Sequence, residues 1–304
     1  MRRAIAGGRL ELLLDLGRES VSVVAARAAV QRLPCQPPLD LTMSWPGLEK
    51  FGGSAEKRMS RPLDSLQQYF PHATLASEFF DRLNQSLARQ YGFASGNTRF
   101  GEGACCDEIN EPELLRLERH WGERFRFGGL AGYCHGGRTA LAAVSHHVPA
   151  RDGQRNLLLV AGPHIGYHDD TWGRVGRAGQ VETTTCCGSL MAIVSAGYDE
   201  LVSKTKDRLD AQQYELERLM LPFLDRTGEP GTVPSIVRAT QFLSQRVDED
   251  LTAIVGSLAP SFCGQIATVT GVTINTGVSN FFEPSMQRLY NRETAGTAFS
   301  IPTR

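Results

Sequence analysis

Hydrophobic residues recur at helical spacing in several parts of the chain. The stretch ATLASEFFDRLNQSLARQY (73–91) repeats apolar positions three and four residues apart and stops before a glycine, which predicts a helix. EPELLRLERHWGERF (111–125) predicts a second helix, because a proline is tolerated in the first turn. RTALAAVSHH (138–147) predicts a helix of small residues. A long amphipathic helix is expected over about 199–225.

Strand patterns alternate with these helices. NLLLVAGPHIGYH (156–168) opens with an apolar run that predicts a buried strand, and IATVTGVTINT (266–276) alternates like a strand. Between them, TTTCCGSLMAIVSAGY (183–198) predicts the start of a buried helix. Interleaved helices and strands favour an α/β fold. Prolines and glycines over 34–65 predict a poorly ordered or loosely packed segment 1–65 ahead of a single domain, 66–304.

Composition and charge exclude several classes of partner. The chain has 304 residues, and 32 Lys and Arg against 33 Asp and Glu give a net charge of −1, so nothing favours nucleic acid. No apolar run approaches the roughly 20 residues that span a bilayer. A cytoplasmic protein is expected, although the Arg-rich N-terminus leaves organellar targeting open.

The cysteine and histidine residues point to a metal site. Seven cysteines without a secretory pattern argue against a disulfide framework, and the absence of a C-x-x-C motif argues against thiol redox chemistry. Three clusters concentrate the donors: Cys105-Cys106-Asp107-Glu108, Pro163-His164 and Cys186-Cys187-Gly188. Two cysteines and one histidine are a donor set of catalytic zinc sites, which keep the fourth position open. The simpler alternatives are buried core cysteines and an aspartate that caps a turn.

A second motif offers a different chemistry. GYCHGG (132–137) resembles the nucleophile elbow of α/β-hydrolases, with Cys134 as the nucleophile. That fold requires a hydrophobic strand before the elbow, and FRFGGLAGY is a poor one. The fold also places its histidine last in the chain, and no histidine follows His168. The hexapeptide therefore favours a tight turn, with a Cys134 hydrolase as the less favoured alternative.

Several motifs in one order resemble the limiting-CO2-inducible protein B family, also called θ-class carbonic anhydrases. They are FRFGGLAGYCHGGRTALAAVSHHVP, NLLLVAGPHIGY and GRVGRAGQVETTTCCGSL, preceded by a C-C-D-E element in place of the family's C-R-D-E. The resemblance is good over about 92–195 and does not reach 1–65. It implies a β-carbonic-anhydrase-like α/β fold, with a central sheet flanked by helices, and a homodimer.

The resemblance also implies a site and a reaction. The family's zinc ligands fall on Cys105, His164 and Cys187, and its aspartate falls on Asp107. The expected reaction is reversible hydration of CO2 to bicarbonate, with zinc-bound hydroxide as the nucleophile. The alternative is a catalytically silent, zinc-binding scaffold that responds to CO2 or bicarbonate.

This sequence departs from the family at the C-R-D-E element. Cys106 replaces the arginine there, so an arginine that orients Asp107 must come from elsewhere. Arg174 and Arg177 in the glycine-rich loop are the candidates, and Arg177 is favoured.

Overall fold

The chain divides into two compact units, Met1–Gly53 and Ser54–Arg304. The structure, a computed structural model, describes residues 5–6, 9–10, 65–225, 235–292 and 296–299. In the first unit, β1 (Ile5–Ala6) and β2 (Arg9–Leu10) form an antiparallel pair. The predicted loose packing of residues 1–65 lies almost wholly outside the described residues.

The second unit is built on a mixed sheet, to which nine of its described strands contribute. These are β3 (Thr74–Leu75), β4 (Thr98–Gly103), β5 (Arg124–Arg126), β6 (Asn156–Ala161), β7 (His164–His168), β8 (Thr171–Trp172), β11 (Gln265–Asn275), β12 (Asn280–Tyr290) and β13 (Thr297–Ala298); β9 (Arg174–Val175) and β10 (Thr184–Thr185) form a separate antiparallel pair. The order is β13-β12-β11-β6-β4-β5, with β3 beside β12, β7 beside β11 and β8 beside β7. Strands β5, β4, β6 and β11 run parallel, whereas β12 and β13 are antiparallel.

Helices cover both faces of this sheet, as the α/β prediction requires. They are α1 (Ala76–Tyr91), α2 (Glu111–Trp121), α3 (Gly137–His146), α4 (Gly188–Ser203), α5 (Ala211–Asp225) and α6 (Ser235–Leu258). Leu158 and Val160 of β6 pack with α1 and α2, while Leu157 and Leu159 pack with the other helices. This alternation follows from the two-residue repeat of a strand buried on both faces. None of the helices in the described ranges is long and apolar enough to cross a membrane.

Two of the predicted helices have different bounds. The helix expected over 111–125 ends at Trp121, because Gly122 adopts a φ of 90° and the chain continues into β5. The long helix expected over 199–225 is wrong: α4 ends at Ser203 and α5 begins at Ala211. The intervening KTKDRLD is polar, and its only large apolar residue, Leu209, is 85% exposed, so this segment has no face to bury.

A break between β6 and β7 positions the site. Strand β11 pairs with β6 through Gln265–Thr270 and with β7 through Thr273–Asn275, so one long strand supports both. At the break Gly162 has a φ of 150°, and a side chain there would overlap the carbonyl oxygen of Gly271. His164 is therefore the first residue of β7, at the carboxyl end of the parallel strands, where α/β proteins place their ligands.

Candidate metal centre

Three donor residues meet at the carboxyl end of the sheet. Cys105 follows β4, His164 begins β7, and Cys187 is the N-cap of α4. Their Sγ and ring nitrogen atoms lie within 4.8 Å of one another. All three residues are buried, with exposures of 6%, 1% and 2%. The structure thus brings together three residues that are 59 and 23 positions apart in sequence, and their atoms could hold a metal ion.

The ring of His164 has one satisfied nitrogen and one free nitrogen. Nδ1 lies 2.9 Å from Oδ1 of Asn275, and an amide oxygen only accepts, so Nδ1 donates. Nε2 is buried and makes no hydrogen bond; Oδ2 of Asp107 is 3.9 Å away. A buried polar nitrogen without a partner is rare in proteins, and a metal ion at the donor cluster would satisfy it.

The pKa values of the two cysteines of this set are shifted in opposite directions. A hydrogen bond from Cys105 lowers the pKa of Cys187, and the backbone N–H groups of Ser189 and Leu190 at the start of α4 lower it further. The hydrogen bond to Cys187, together with burial, raises the pKa of Cys105 to about 12. Burial alone would lower the pKa of His164, but the neighbouring thiols of Cys105 and Cys186 raise it well above its ordinary value. A metal ion must therefore displace protons here, so its affinity should increase with pH.

Asp107 lies beside the donor cluster and is held by an arginine. Nη1 and Nη2 of Arg177 each donate to one carboxylate oxygen of Asp107 at 2.8 Å. Nε of Arg177 donates to Oγ1 of Thr184 at 2.8 Å, which fixes the guanidinium. Burial alone would raise the pKa of Asp107, but the hydrogen bonds from Arg177 and the charge of His164 lower it to about 2. The carboxylate stays ionised beside the position of a metal ion.

Arg177 and Arg174 differ in what they contact. Arg174 turns to Thr183, to which Nε donates at 2.8 Å, and the structure gives it no bond to Asp107. Arg177 also bonds Glu108. Cys106, next to Asp107, is exposed. Of the two arginines considered, Arg177, in the loop between β9 and β10, is the one that bonds Asp107.

A second donor group overlaps the first. One ligand atom each of Asp107, His164 and Cys186 also lie within 4.8 Å of one another. Sγ of Cys186, however, contacts the Nδ1 side of His164 at 3.3 Å and lies 3.5 Å from Oδ1 of Asn275. Cys186 is therefore engaged with the nitrogen that already has a partner, which favours Cys187 as the second thiolate donor.

Cys134 lies outside both donor groups. It is buried in the core, and burial raises the pKa of its thiol to about 12. A thiol that stays protonated at neutral pH is a poor nucleophile. The preceding residues Leu130–Gly132 form a 3-10 turn rather than a strand, as the tight-turn interpretation predicts. The geometry gives no support to a Cys134 hydrolase.

Sequence reasoning missed the polar residues behind His164. Asn275 is fully buried at the end of β11, and Asn110 and Asn280 contact its amide nitrogen. The available signal was an asparagine at the end of a predicted strand that is mostly buried, since a buried amide needs partners. It lay 111 positions from His164, beyond the range of local motifs.

The family model described as limiting CO2-inducible proteins B/C, beta carbonic anhydrases, matches residues 73–291. The chain belongs to this family. Membership confirms the resemblance seen in the sequence and the predicted β-carbonic-anhydrase-like α/β fold.

Solved structures of the B/C family share this fold. A single-residue variant of PtLCIB4, a homolog of the limiting CO2-inducible protein LCIB, is 27% identical, with a TM-score of 0.70 over 79% of this chain and 98% of its own. PtLCIB4 itself is 28% identical, with a TM-score of 0.69 over 78% and 98%. LCIB is 22% identical, with a TM-score of 0.60 over 78% and 98%, a likeness that shows the fold alone. No curated protein matches the chain.

Proposed function

We propose that this chain is a zinc-dependent carbonic anhydrase that reversibly hydrates CO2 to bicarbonate. The observation that carries the proposal is the buried Cys105, His164 and Cys187 cluster with an arginine-held carboxylate, Asp107, beside it. Membership in the B/C family supports it. The donor set fits the metal: Cys2His is a known set of catalytic zinc sites, and the free Nε2 of His164 is available as the nitrogen ligand.

The residues of this chain divide the work between holding the metal and orienting the reactants. Bound zinc would act as a Lewis acid that lowers the pKa of water to about 7 and so supplies the nucleophile. Asp107, ionised at neutral pH, would accept a hydrogen bond from the attacking water and orient its lone pair toward CO2. Arg177 would keep the carboxylate of Asp107 turned away from the metal, so that the fourth position stays open.

The test is stopped-flow CO2 hydration on protein whose zinc content has been measured. We expect about one zinc per chain, as a single Cys2His site requires, and turnover that chelation abolishes. Cys105→Ala and His164→Ala should lose both zinc and turnover. The matched control is Cys263→Ser, which removes an exposed cysteine that contacts Arg292 outside the site, and it should retain both.

Two outcomes would contradict the proposal. Stoichiometric zinc without hydration would favour the silent CO2- or bicarbonate-responsive scaffold. Protein without zinc would exclude both the enzyme and the scaffold. The homodimer and the cytoplasmic location expected from the sequence stay predictions.

A further inference from the structure

The amide of Asn275 is saturated with hydrogen bonds. Asn275 has no exposed surface. Its Nδ2 donates to Oδ1 of Asn280 at 3.0 Å and to Oδ1 of Asn110 at 3.5 Å. Its Oδ1 accepts from Nδ1 of His164 at 2.9 Å and from Sγ of Cys186 at 3.5 Å. An amide offers two donors and two acceptor lone pairs, and all four are used here.

The network also fixes which way this amide points. Asn110 donates through its own Nδ2 to the backbone oxygen of Asp107 at 3.3 Å, and Asn280 donates to the backbone oxygen of Ile109 at 3.5 Å. Their Oδ1 atoms therefore face Asn275 as acceptors, and only Nδ2 of Asn275 can meet them. The oxygen of Asn275 is left to face His164. The orientation of the Asn275 amide is therefore fixed by two backbone carbonyl oxygens, which can only accept hydrogen bonds.

The consequence reaches the ring of His164. When a metal ion binds, the ring must give up one proton, and the nitrogen that keeps its proton is the one with a fixed acceptor. We infer that Asn275 is a positioning residue that holds the proton on Nδ1 of His164 and so makes Nε2 the metal-binding nitrogen. This inference rests on the proposed metal centre and assigns the residue that selects its nitrogen ligand.

The side chain of Asn275 also distinguishes the two adjacent cysteines, Cys186 and Cys187. Cys186 shares the acceptor of His164 and lies on the Nδ1 side of the ring, whereas Cys187 belongs to the donor set with Cys105. Asn275 thus holds Cys186 as a hydrogen-bond donor away from the metal position. The amide of Asn275 thus determines both which nitrogen of His164 and which of the two adjacent cysteines face the metal position.

The experiment compares three variants of the full chain. Asn275→Leu keeps the approximate shape and removes every hydrogen bond. Asn275→Asp keeps an oxygen acceptor for His164. Asn156→Leu is the matched control, because Asn156 is also buried at a strand end, 1% exposed, and bonds Gly92 and Asn97 instead of the site. Zinc affinity is measured by chelator competition, and unfolding is followed in parallel.

We expect Asn275→Leu to weaken zinc binding by roughly 10- to 100-fold, the usual loss when the partner of a histidine ligand is removed. Asn275→Asp should bind zinc more tightly than Asn275→Leu, because it keeps the acceptor for Nδ1 and loses only the bonds to Asn110 and Asn280. Asn156→Leu should lose stability but not zinc affinity. Nitrogen-15 NMR of histidine-labelled, zinc-loaded wild type should show Nε2 bound to the metal and a protected proton on Nδ1. If Asn275→Leu does not fold, Asn280→Ala frees one side of the amide and should weaken zinc binding by a smaller factor.

Equal zinc affinity in Asn275→Leu and wild type, or metal bound through Nδ1, would overturn the inference. So would an equal loss of affinity in Asn156→Leu, because the role of Asn275 would then be structural only. These failures are distinct from failure of the proposed function. Zinc-loaded wild type without turnover removes the enzyme but leaves the inference intact, whereas wild type that binds no zinc removes both.

Discussion

Arg177 and Asp107 meet through two parallel hydrogen bonds, which a planar guanidinium makes and an ammonium group cannot. Nε of Arg177 is bonded as well, to Thr184, so the fork has little freedom to rotate. The direction of the carboxylate therefore depends on the shape of this side chain and not only on its charge.

Arg177→Lys should lower the rate of CO2 hydration by roughly 10- to 100-fold and leave zinc content unchanged. Lysine keeps the positive charge but holds Asp107 through one bond at most, so the carboxylate can turn toward the metal position. Stopped-flow hydration together with zinc analysis checks this. Arg174→Lys, at the start of β9 and bonded to Thr183, is the control and should be close to wild type. An Arg177→Lys protein with full turnover would show that charge alone is sufficient.

Some residues of the site could be predicted from the sequence and others could not. Cys105, His164 and Cys187 each sit in a short motif, so their chemistry is visible locally. Asn275 and its two asparagine partners are joined only by folding, and nothing near Asn275 in sequence indicates a histidine opposite it. The candidate donor residues lie in short sequence motifs, but the residues that orient their side chains are far away in sequence.

At the scale of secondary-structure elements, the backbone of the turn at Gly132 packs closely against the segment that leads into β7. Gly132 has a φ of 73°, and a side chain there would overlap the carbonyl of Gly162 and lie 3.2 Å from Cα of Pro163. Pro163 immediately precedes His164. The glycine-rich turn that resembled a hydrolase elbow therefore packs against the segment that delivers the histidine.

Gly132→Ala should lower the free energy of unfolding by about 3 kcal/mol and weaken zinc binding, because backbone strain and overpacking add. Gly153→Ala is a matched control with a φ of 76° but open space around it, and it should lose only about 1 kcal/mol and no zinc affinity. Chemical denaturation and chelator competition measure both quantities. Equal losses in the two variants would show that the collision with Gly162 is unimportant.

The predictions of helices and strands were right where a local sequence pattern determines the structure, and wrong where contacts with distant residues determine it. Strand 266–276 and helix 73–91 have clear periodicity, and the structure confirms them within three residues as β11 and α1. The helix expected over 199–225 failed because the polar segment between Ser203 and Ala211 has no apolar face to pack against a neighbour. The interruption between β6 and β7 depends on Gly271, over 100 positions away, and was invisible locally.

At the scale of the whole molecule, stability depends on carboxylates that folding partly buries. Burial raises the pKa of Glu283, on β12, to about 7, although the charge of His72 and its backbone N–H group oppose this. Glu283 and Asp248 line one groove, and one oxygen of Glu283 has no hydrogen-bond partner. The folded protein therefore holds a proton on Glu283 at a pH where the unfolded chain, with a pKa near 4.5, has released it.

The sign of this effect follows from proton linkage. A raised pKa in the folded state means that Glu283 disfavours folding increasingly as pH rises from about 4.5 to 7, and the full penalty remains above that range. Glu283→Gln should therefore be more stable than wild type at pH 8, by about 1 kcal/mol for a half-buried carboxylate, and equal to it near pH 4. Denaturation at both pH values tests this, with exposed Glu123→Gln as control. A stability difference independent of pH would contradict it.

The candidate metal donors and Arg177 lie in parts of the molecule that differ in how well they tolerate substitution. Cys105, His164 and Cys187 are embedded in the core, so replacing their neighbours costs folding free energy. Arg177 stands in a loop whose neighbours Gly179, Gln180, Val181 and Glu182 are exposed, where substitution is tolerated. On the proposed function, a substitution in this loop would therefore remove turnover and leave the metal-binding cluster intact.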